Sequence, residues 1–68
     1  MQHVQFYVIT FPASGVSTVM RSKLTSGGKP EVSLMNADGQ FRTVTEIPEL
    51  FTAQLIRNLP SHYATFTD

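Results

Sequence analysis

The sequence predicts a small α+β domain of two layers, an antiparallel sheet of about four strands with one C-terminal helix packed on one face. Three observations lead there. β-branched and aromatic residues are concentrated before residue 45, turn signals punctuate that stretch at short intervals, and beyond residue 46 the apolar spacing lengthens to four. A single domain over 1–68 follows, with 1–45 as the sheet, 46–60 as the helix and 61–68 as a tail or short edge strand.

The first strand spans residues 3 to 11, dense in Val, Ile, Phe and Tyr, and stops at Pro12 before a turn through Ser14 and Gly15. Val16 to Leu24 reads as the second, closed by Thr25-Ser26-Gly27-Gly28-Lys29-Pro30. Val32 to Asn36 is the third, and Asp38-Gly39 is a strong hairpin signal before a fourth over Phe41 to Thr45. A two-residue type I′ turn on Asp38-Gly39 pairs Asn36 with Phe41, Leu34 with Thr43 and Val32 with Thr45. Val32, Leu34 and Phe41 then share a core face with Met20 and Val16, leaving Arg21, Lys23, Ser33 and Arg42, interleaved with Val19, Met35 and Val44, on a wetted one.

In the C-terminal third, Ile47, Phe51, Leu55 and Leu59 form a helical stripe widened by Leu50, Ala53 and Ile56. Pro48 suits the first helical position, Glu49 the positive end of the dipole, and Pro60 the stop. The first strand strains this plan, because Val4, Phe6 and Val8 are apolar on one side and Tyr7, Ile9 and Phe11 on the other. One helix covers one set. The second set, Tyr7, Ile9 and Phe11, is therefore the expected interface of a homodimer, a second copy, a partner or the C-terminal tail being needed to cover it.

Composition narrows the function classes. The 68 residues include no cysteine, which excludes disulfide scaffolds, thiol redox chemistry and cysteine zinc sites, and leaves a cytoplasmic setting as the expectation. Five basic residues balance five acidic ones, so the broad positive field of a non-specific nucleic-acid binder is missing. The apolar run from Phe6 to Phe11 lacks the preceding cation of a signal peptide, and nothing approaches the roughly 20 apolar residues of a membrane span. No membrane contact is expected.

Catalytic residues are not identifiable. His3 and His62 stand at opposite ends with no nucleophile tied to either, and Glu31, Glu46, Glu49, Asp38 and Asp68 each have a position in a strand start, helix start, turn or terminus that explains them. Ser26-Gly27-Gly28-Lys29 is not a phosphate loop, since Pro30 and a strand follow the lysine where a helix should open. No dinucleotide fingerprint or metal-ligand spacing is present, so no cofactor and no metal are expected.

The expectation is a non-enzymatic protein-interaction module, a small accessory or inhibitory protein of the kind made by bacteria and phages, which forms a homodimer and binds a larger protein partner. Its partner-binding surface would comprise Val19, Arg21, Lys23, Lys29, Met35, Arg42 and Val44. The alternative is a dimeric nucleic-acid-binding regulator using the same cations, separable by a steep salt dependence. An enzyme with a site completed across a subunit interface is a third class.

Overall fold

A computed structural model describes residues 4–61 and 63. It is all-β: β1 Val4–Phe11, β2 Val16–Leu24, β3 Pro30–Met35, β4 Phe41–Val44 and β5 Thr52–Leu55 form one antiparallel sheet in the order β4-β3-β2-β1-β5. The first four strands fall where the residue types place them. The expected helix over 46–60 does not form, and no helix occurs among the described residues; the α+β assignment is corrected to a five-stranded β domain.

Reach explains the correction. From Val44 at the lower end of β4 to Thr52 at the upper start of β5, a flat sheet requires four strand spacings sideways and about five residues of rise, roughly 25 Å in all. Extended chain over those eight steps reaches about 27 Å, whereas a helix would cover about 12 Å. Residues 45–51 cross between these ends as an irregular strap, bent at Thr45 and Glu49. A helix of this length is also marginal alone, while pairing with β1 satisfies a whole strand edge.

Two turns set the register. Asn36 O accepts from Gly39 N at 3.0 Å and Gln40 O accepts from Asn36 N at 2.8 Å, a three-residue loop over Ala37-Asp38-Gly39. Thr25–Lys29 repeats the construction, with Gly28 N donating to Thr25 O and Thr25 N to Lys29 O. Gly39 (φ 82°) and Gly28 (φ 81°) take the left-handed position that such loops end on. The extra loop residue over the expected two-residue turn shifts β4 by one, so Met35 pairs with Phe41, Ser33 with Thr43 and Leu34 with Arg42. A one-residue shift exchanges faces. Phe41 thus leaves the face of Val32 and Leu34, and Arg42 and Val44 join it.

Each side of β1 has a buried residue packed within the chain. On one face Phe6 is 1% exposed, its ring 5.8 Å from that of Phe41 and 5.2 Å from that of Tyr63, which follows β5 in a turn closed by Tyr63 N donating to Pro60 O. On the other, Ile9 is fully buried, and Phe51 at the end of the strap meets Phe11 edge-on at 6.4 Å. Much of the surplus apolar surface of β1 is thus met by Phe51 and Tyr63, while Val8 stays 40% exposed. His3, His62, Asp68 and most of the expected 61–68 edge strand lie outside the described residues.

Candidate functional site

The residues expected to bind a partner divide between two faces. Val19, Arg21, Lys23 and Met35 share the face of Phe6, whereas Arg42 and Val44 share that of Ile9, and Lys29 is exposed in the β2–β3 loop. The shift at Phe41 causes the division. Arg21 is drawn into packing: its guanidinium carbon stands 4.9 Å from the centre of the Phe41 ring, and Nη2 donates to Ser33 Oγ at 3.2 Å. Ser33 is itself buried, with Thr43 Oγ1 3.4 Å from its hydroxyl. Lys23 stands opposite Glu31 in register, so its charge has an opposite neighbour on the same face. Four cations on one patch do not occur.

The residues expected at a dimer interface are largely committed inside the chain. Ile9 is buried, Phe11 packs on Phe51, and Tyr7 is half-buried with its hydroxyl donating to Gln5 Oε1 at 2.8 Å.

What remains open is the end of the strap and the strand that follows. Leu50 is 91% exposed, next to Pro12 and Ala13 of the β1–β2 turn, and with them and Glu49 it lines a shallow, mostly apolar hollow. Phe51, Leu55 and Leu59 are also exposed large apolar residues, which puts four of the seven described ones within residues 50–59. Along β5, all four residues are exposed. The periodicity that suggested a helix stripe was recording this apolar segment, whose side chains fall on a strap and an edge strand.

Chemically the arrangement offers contact surface. Among the described residues no group of three or more His, Cys, Asp or Glu side chains could hold a metal ion, and no helix is long and apolar enough to cross a membrane. No protein-family model matches the chain, and neither a curated protein nor a solved structure matches it.

Proposed function

We propose that the protein is a non-enzymatic interaction module of the accessory or inhibitory kind, which binds a larger protein in the cytoplasm through the apolar tip at Leu50. The observation that carries this reading is the 91% exposure of Leu50 beside Pro12 and Ala13, a large apolar side chain displayed to solvent with no described residue over it. Apolar anchors entering a pocket are the usual centre of protein–protein contacts. Glu49 on the rim favours a partner whose pocket carries a cation beside it. Separation of Arg42 from Arg21 and Lys23 speaks for this reading over phosphate binding, which needs cations gathered on one surface.

A photo-crosslinking residue at position 50, compared with one at the exposed Ser26 turn, tests it in cells that make the protein. One dominant protein adduct specific to position 50, lost when Pro12 and Ala13 are replaced by Asp, is expected. Equal capture from both positions, or adducts to nucleic acid alone, overturns it.

A further inference from the structure

We propose that the edge of β5 that no described strand pairs is the site at which a second copy of this chain docks, antiparallel about a two-fold axis at Gln54, joining two five-stranded sheets into one. The backbone fixes the geometry. Ile56 N donates to Phe6 O at 2.9 Å, so alternation along the ladder turns the amides of Gln54 and Thr52 towards β1 and those of Ala53 and Leu55 outward. Two outward residues separated by one are self-complementary: Ala53 pairs with Leu55 of the partner subunit, and Leu55 with Ala53 of the partner subunit.

Charge selects this edge and this occupant. Thr52-Ala53-Gln54-Leu55 carries no charge, no lysine and no proline, the devices that normally guard an edge. Glu49 lies before the strand and Arg57 after it, so antiparallel pairing sets each acidic end against the other copy's basic end. The opposite edge behaves differently. On β4 the outward amides are those of Phe41 and Thr43, and a two-fold axis there would set Arg42 directly against its own copy. Pairing at β5 also places Leu55 beside Ala53 of the partner subunit on the face that carries Phe11 and Phe51, widening one apolar strip. This association is independent of the Leu50 tip, which lies outside the paired residues.

Sedimentation over a concentration series tests the association, and two variants test its geometry. Ala53→Pro removes an outward donor while leaving the β1–β5 bonds intact, and is expected to weaken the dimer roughly tenfold or more. Because the chain has no cysteine, Gln54→Cys supplies one thiol per copy on the axis, at a non-hydrogen-bonded pair about 4.5 Å between Cα atoms, within disulfide range. Mild oxidation should give a covalent dimer much faster than for Ser26→Cys in the β2–β3 turn. A wild-type chain that stays monomeric at its highest soluble concentration overturns the proposal, as does an Ala53→Pro dimer of unchanged affinity or equal oxidation of the two cysteine variants. Should Ala53→Pro fail to fold, Gln54→Cys decides. Leu50→Asp keeps the dimer, so loss of the larger partner is read separately.

Discussion

Arg21 and Phe41 stand three-dimensionally adjacent across two strands, the guanidinium carbon 4.9 Å from the ring centre, with Phe6 packed against the same ring at 5.8 Å. An arginine that the sequence places on a wetted sheet face is thereby part of the packing around the most buried aromatic residue of the chain. Its guanidinium lies over the Phe41 ring and reaches Ser33.

Replacing Arg21 by Ala should cost about 1–2 kcal/mol, from the ring contact and from the buried Ser33 hydroxyl left with less hydrogen bonding. Urea unfolding measures it. Arg42→Ala, an exposed site on the other face, should stay within about 0.5 kcal/mol of wild type. Equal losses in the two variants would contradict the β4 register.

Phe6→Ala removes a ring that is 1% exposed and should cost about 3–5 kcal/mol, comparable to the whole stability expected of so small a core. Circular dichroism at 25 °C should therefore show a largely unfolded chain. Phe6→Leu, which keeps most of the volume, should remain folded with a lowered Tm.

Two glycines in the turns should respond oppositely to the same change. Gly39→Ala forces a β-carbon into positive φ and should destabilise by about 1 kcal/mol. Gly27→Ala has open space around its Cβ position and no positive φ, so it should be neutral or stabilising by a few tenths of a kcal/mol. Thermal unfolding of both variants gives the comparison.

Leu50→Asp should leave Tm within a few degrees of wild type, since a side chain 91% exposed contributes little burial, while eliminating the partner adduct formed by a crosslinking residue at the neighbouring Ala13. A large drop in Tm would mean that Leu50 serves the fold.

Local signals placed four strands well because each was bracketed by its own punctuation: Pro12 and Gly15, Gly27 to Pro30, Asp38-Gly39. β5 carried no such signal. Its four residues acquire strand geometry from β1, more than forty positions earlier, and Pro48 and Glu49, which suit a helix start, sit equally well in a strap. Asp-Gly announced a hairpin without specifying two loop residues or three, and that one residue decided whether Phe41 or Arg42 faced Arg21. Of the surfaces, Leu50 was visible as part of an apolar stripe, but its exposure depended on the strap that replaced the helix.

β1 lies between β2 and β5, and Phe6 on it is closed over by Tyr63. During synthesis β1, which precedes the other four strands, thus gains its second neighbour only after residue 55 is available, and until then one of its edges and an aromatic side chain await their neighbours. Nascent or prematurely terminated chains would display a β-rich hydrophobic segment of the kind that invites intermolecular pairing. The cell would meet such fragments as substrates for chaperones and proteases, while a chain extending through Tyr63 withdraws the same segment from view.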